Sequence, residues 1–156
     1  MAIETLERVL REHPFVRDLK AEHIETLVGC ASNRKFHPGE YLARERQQAD
    51  EFFLIREGQV VLELYLPQRG GLQIETLGEG EILGWSWLVQ PYRWHYDARA
   101  VTLVRALALD GKCLRRKSET DFELGYRLFQ RFATIMEQRL QATRLQLLDV
   151  YRPEHV

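Results

Sequence analysis

The sequence predicts an α+β domain: short N-terminal helices, a mainly antiparallel β jelly-roll barrel, and one long C-terminal helix. Apolar residues recur at helical spacing over residues 3–31 and again after Asp110-Gly111. Between about residues 33 and 110, short strand-like stretches alternate with turn signals, among them Pro38-Gly39, Glu57-Gly58, Gly70-Gly71 and Gly78-Glu79-Gly80. With 156 residues, 22 of them basic and 23 acidic, the chain fits a single globular domain spanning 1–156 with one apolar core.

Residues 1–32 hold the N-terminal helices. Ile3, Leu6, Val9 and Leu10 share one face of the first, and His13-Pro14 ends it, because the residue before proline is pushed out of the helical region. Asp18 is the expected N-cap of the second, which turns Leu19, Ile24, Leu27, Val28 and Ala31 toward the core. Residues 33–110 form the barrel. Phe52-Phe53-Leu54-Ile55 is a strand. Val60, Leu62, Leu64 and Leu66 alternate with Val61, Glu63 and Tyr65 as a strand with one buried face. A hairpin loop follows over Gln68-Arg69-Gly70-Gly71, with Leu72 and Ile74 inward on the return. A last alternating run covers residues 98–107. Residues 111–150 are the C-terminal helices: a short one over 112–117, then a long one opened by a capping box at Ser118-Glu119-Thr120-Asp121.

Composition excludes several classes. The near-neutral charge supplies no global attraction for nucleic acid or anionic membrane. No apolar run approaches bilayer length, and residues 1–8 are too charged for a signal peptide. Cys30 and Cys113 stand far apart without metal spacing and read as free thiols, so the expected setting is cytoplasmic. Phosphate-cradling, nucleophile-elbow and zinc-protease motifs are lacking, so an enzyme is not expected. His37 and His95 have no second ligand at metal spacing, and no metal is expected.

All three tryptophans fall in residues 80–100, with Arg93 and Arg99. This concentration of aromatic, basic and glycine residues marks a candidate pocket: Gly84, Trp85, Ser86, Trp87, Arg93, Trp94, His95 and Arg99. On the long helix, Phe129, Phe132, Met136, Leu140, Thr143 and Leu147 lie close to a 3.5-residue seam, a candidate dimerisation face. At about 1.5 Å per residue that helix is longer than a small barrel needs.

Three landmarks carry a resemblance. Phe36-His37-Pro38-Gly39-Glu40-Tyr41-Leu42, Phe52-Phe53-Leu54-Ile55-Arg56-Glu57-Gly58 and Leu77-Gly78-Glu79-Gly80-Glu81-Ile82-Leu83-Gly84 follow in the order and spacing of the cyclic-nucleotide-binding domain, as in the catabolite-activator/FNR regulators. The chain resembles that family over essentially its whole length. The resemblance implies a ligand-sensing regulatory module, cyclic AMP or cyclic GMP as ligand class, a phosphate-binding cassette over 80–100, and relay of occupancy through the C-terminal helix. The seam and the length of that helix carry the separate expectation of a homodimer through it, and a partner protein would have to read the signal. The regulators it resembles carry a DNA-binding domain after the helix, whereas the chain ends at His155-Val156, so no direct DNA binding is expected. Two diagnostic positions depart from the pattern. Trp85 follows Gly84 where nucleotide binders carry a ribose-binding glutamate, and Trp94-His95 stand where the phosphate-binding arginine is expected, with Arg93 one residue early. The alternative expectation is therefore a degenerate domain that binds no nucleotide and serves as a dimerisation or protein-docking module.

Overall fold

The structure, a computed structural model, describes residues 3–151, with side chains from Leu6 onward. The side chain of Ile3 and the terminal residues 152–156 lie outside the described residues. Helix α1 (Ile3–Glu12) ends where predicted, and a 3-10 turn, Pro14–Val16, follows. The His13 ring closes this corner. The Phe15 amide donates to its Nδ1 at 3.2 Å, and its Nε2 faces the Ile55 carbonyl at 3.3 Å. Helix α2 (Ala21–Gly29) begins after Lys20 without a side-chain cap. Asp18 is not that cap. It takes a left-handed backbone in the approach, at φ 70°, a conformation that aspartate tolerates better than most side chains.

Eight strands follow: β1 (Ala31–Phe36), β2 (Tyr41–Ala43), β3 (Glu51–Glu57), β4 (Val60–Leu66), β5 (Gly70–Leu77), β6 (Ile82–Leu83), β7 (Asp97–Ala100) and β8 (Val104–Asp110). They pair antiparallel as two four-stranded sheets, β1-β8-β3-β6 and β2-β7-β4-β5. The result is the expected jelly roll, built as two sheets and not closed into a barrel.

Strands β3 and β8 are buried on both faces and separate two cores. Phe52, Leu54, Leu107 and Leu109 pack with Trp87, Leu114, Leu128 and Phe132 beneath the helices. Their neighbours Phe53, Ile55, Ala106 and Ala108 face the roll interior with Leu62, Leu83, Trp94 and Ala98. A strand with two buried faces reads as a continuous apolar run, as Phe52-Phe53-Leu54-Ile55 does.

Two strand expectations change. The run over 98–107 is not one strand: β7 stops at Ala100, exposed Val101 begins a break, and β8 starts at Val104. Leu72 is 48% exposed and outside the core: it pairs with Leu64 toward the hairpin end, beyond the buried stretch Val60, Val61 and Leu62 of β4.

Helix α3 (Gly111–Thr120) is capped by Asp110, whose carboxylate accepts the Cys113 amide at 3.1 Å. Helix α4 (Phe122–Tyr151) runs 30 residues. Its start uses Asp121, which accepts the Leu124 amide at 3.1 Å, whereas Ser118 of the expected capping box lies inside α3. Cys30, at the end of α2, is joined by a disulfide to Cys113 in the first turn of α3, across 83 residues. This corrects the expectation of two free thiols and removes its support for a reducing compartment, since disulfides persist in oxidising surroundings. Among the described residues no helix is long and apolar enough to cross a membrane.

Candidate functional site

Strand β6 delivers the chain to Gly84, where the backbone takes φ 99°. Glycine is required here twice over. The conformation disfavours a side chain, and a Cβ at this position would meet the Trp94 ring at 2.5 Å. Trp94 is buried over Gly84 and anchored by its backbone: it donates to the Gln47 carbonyl at 3.0 Å and accepts from the Arg46 amide at 2.8 Å. Tyr96 packs edge-on against it, centroids 6.0 Å apart. The large indole therefore fills the roll interior beside the glycine.

A 3-10 turn, Ser86–Leu88, comes next. Its Trp87 belongs to the core below the helices and not to a pocket. It is fully buried, stacked on Phe52 at 4.9 Å and edge-on to Phe132 at 5.5 Å. Ser86 is buried beside it. Arg115 of α3 holds the turn by donating to the Trp87 carbonyl, with its guanidinium 4.1 Å above the Tyr92 ring and 3.5 Å from Asp50. The loop from Val89 to Tyr96 contains a cis Gln90–Pro91 bond and bridges Gln48 at Arg93.

The two predicted anion-binding arginines both face away from the roll interior. Arg93 is exposed, and its side chain makes no hydrogen bond or ion pair among the described residues; His95 is likewise exposed. Arg99 lies on the outer face of β7, between inward Ala98 and Ala100. There it grips Glu63 of β4 with Nε at 3.0 Å from Oε1 and an Nη at 3.3 Å from Oε2. The hydrogen bond to Glu63, then its charge, raises the Arg99 pKa above its ordinary value. Among the described residues no cluster of three metal-ligating side chains occurs.

The cation at the roll mouth comes instead from α4. Arg139 donates to the Ile82 carbonyl of β6, its Nε lies 3.6 Å from Glu75 Oε1 on β5, and its guanidinium sits 5.0 Å from the centre of the Trp85 ring. Its side chain is only 14% exposed. Tyr96 lies in the same surroundings. Burial pushes its phenol up to about 12, with Arg139 opposing and Glu75 reinforcing the shift. A cavity of about 540 Å³ adjoins this cluster, lined by Glu75, Gly80, Glu81 and Ile82 on the roll side and by Arg131, Ile135 and Arg139 on α4.

Of the predicted seam on α4, Phe132 is fully buried in the chain's own core and Met136 packs against it. Phe129, Leu140 and Leu147 are exposed, as is Thr143, whose hydroxyl donates to the Arg139 carbonyl at 2.9 Å. Sequence reasoning missed Arg139 and Glu75. One arginine of α4 looks like another until the fold shows which reaches β5.

The sequence profile of the cyclic nucleotide-binding domain matches residues 33–121. No curated protein matches the chain. Among solved structures, a protein of Geobacter metallireducens assigned to the cyclic nucleotide-binding proteins is 28% identical, with TM-score 0.76, over 90% of this chain and 98% of that one. A cyclic nucleotide-binding domain of Methylobacillus flagellatus shares the fold at 18% identity and TM-score 0.79, over 99% of this chain and 86% of that one. The sensor domain of the transcriptional regulator DNR of Pseudomonas aeruginosa shares it at 17% identity and TM-score 0.70, over 89% and 93%.

Proposed function

The chain belongs to the cyclic nucleotide-binding domain family, and on that premise we propose that it is a regulatory module in which α4 responds to the state of the roll mouth. The fold is the one that ligand-sensing modules of this family use. The observation that carries the relay is Arg139, a single α4 side chain engaged at once with β5, β6 and Trp85. A ligand that takes any of these contacts changes the free energy of α4 docking, which is what a relay requires. The role is that of a binding module and not of an enzyme. The test is hydrogen exchange along α4. Arg139→Ala should speed exchange of amides around residues 135–145 by about tenfold, the loss of one charge-assisted anchor. Unchanged exchange there would remove the relay.

A specific observation favours the second reading, a domain that binds no nucleotide. Trp94 occupies the space over Gly84, and Arg93 and Arg99 both face outward. A cyclic phosphate desolvated in the roll would lack a fixed cation. Calorimetric titration with cyclic AMP and cyclic GMP should then give no heat, and saturable heat from either would restore the nucleotide-sensor reading.

We further propose that a second copy of the chain covers the exposed α4 seam of Phe129, Leu140, Thr143 and Leu147, whose apolar members are about half exposed. Light scattering should report a dimer that Leu147→Glu converts to monomer. A wild-type monomer at working concentration would sink it.

A further inference from the structure

We propose that the roll mouth is a receptor for a small guanidinium compound, which Arg139 occupies as an intramolecular ligand. The inference rests on the α4 relay reading and names the ligand class of that site. Three features around the Arg139 head group suit a cation and oppose an anion. Glu75 supplies a carboxylate at 3.6 Å, the Ile82 carbonyl accepts an N–H, and Trp85 presents its ring 5.0 Å away. A carboxylate, a carbonyl and an indole face together satisfy a planar, delocalised cation through charge, hydrogen bonding and cation–π attraction.

The charges bordering the neighbouring cavity point the same way. With Arg139 in place, Glu75 and Glu81 are balanced by Arg131 and Arg139. With Arg139 withdrawn, two carboxylates and one guanidinium border the cavity, with Glu81 accepting the Gly78 amide and Arg131 donating to the Arg17 carbonyl. The vacated mouth is therefore net acidic. The deeper interior is closed by Trp94, so a small ligand engages the mouth alone, reached through the cavity of about 540 Å³. Binding there competes directly with Arg139, and α4 loses its anchor in proportion to occupancy.

The experiment uses the full chain carrying Arg139→Ala, titrated with methylguanidinium chloride at constant ionic strength and followed by Trp fluorescence and thermal unfolding. The expected result is saturable binding and a raised unfolding temperature in Arg139→Ala, with the wild type responding at least about tenfold more weakly because its own side chain competes. Adding Glu75→Gln to Arg139→Ala should weaken binding about tenfold to a hundredfold, the loss of a charge-assisted partner. If Arg139→Ala does not fold, Arg139→Met keeps the aliphatic stem against the roll and takes its place. Binding of cyclic AMP in preference to methylguanidinium would overturn the cation site while leaving a ligand-driven relay standing. Binding of neither, with α4 exchange still dependent on Arg139, would overturn the cation site and reduce Arg139 to a structural clamp.

Discussion

Replacing Gly84 with alanine isolates the contact that closes the roll interior. The added Cβ meets the Trp94 ring at 2.5 and 2.8 Å, both at the far edge of the six-membered ring. The backbone at φ 99° adds a second cost. A side chain held in left-handed backbone costs about 1–2 kcal/mol, and forcing an extra methyl into a packed interior costs about 1–3 kcal/mol. Gly84→Ala should thus lower stability by about 2–5 kcal/mol in sum. The two parts separate in a double-mutant cycle with Trp94→Leu, which removes the clashing ring edge and leaves the backbone as it was. In that background Gly84→Ala should cost only the backbone part, so the coupling energy is about 1–3 kcal/mol. Urea unfolding followed by far-UV circular dichroism gives all four free energies. An equal cost of Gly84→Ala in both backgrounds would refute the packing of Trp94 over Gly84.

Three more outcomes follow from the same structure. Reducing the Cys30–Cys113 bond frees a chain segment 83 residues long, and the chain-entropy relation puts the loss near about 4.5 kcal/mol; a urea midpoint unchanged by dithiothreitol, or two thiols titrating in the unfolded, unreduced protein, would contradict the bond. Burial holds the His13 pKa below its ordinary 6.5, so the unfolded chain protonates first on acidification. Its contribution is complete above pH 6.5, is lost as pH falls through the depressed folded value, and should vanish from the pH slope of the urea midpoint in His13→Gln. Arg99→Ala removes only a partly exposed pair with Glu63, so stability should fall by less than about 1 kcal/mol and methylguanidinium binding to the Arg139→Ala background should not change.

Much of the architecture was legible because local chemistry and tertiary packing agree. Pro14 ends α1, Asp110-Gly111 opens α3, and the apolar spacing of Leu124, Leu128 and Phe132 marks the buried stripe of α4. The disulfide was not legible, since two cysteines 83 residues apart carry no local sign that α2 and α3 bring them together. Asp18 and Ser118 have the right side chains for capping but lie where the backbone does not start a helix. At the candidate site the sequence held more than its composition suggested. If Ala98 and Ala100 face inward, strand periodicity turns Arg99 out, as the structure shows. Trp87 and Trp94, close in sequence, serve different cores: Trp87 sits in the 3-10 turn beneath the helices, and Trp94 is held in the roll by the backbone of Arg46 and Gln47. Glu75 and Arg139 meet only through folding, and no motif joins residues 64 positions apart on different elements.

The shared wall of β3 and β8 has a consequence for how substitutions spread. Odd positions of β8 serve the helical core and even positions the roll interior, so a bulkier residue at Ala108 and a smaller one at Leu109 disturb opposite sides of one backbone. A displacement of that backbone is felt by the seat of Trp94 and by the bed of α4 together. Mutations selected for one of these two compartments will therefore tend to need partners in the other, and repacking either side alone is the less tolerant route through sequence space.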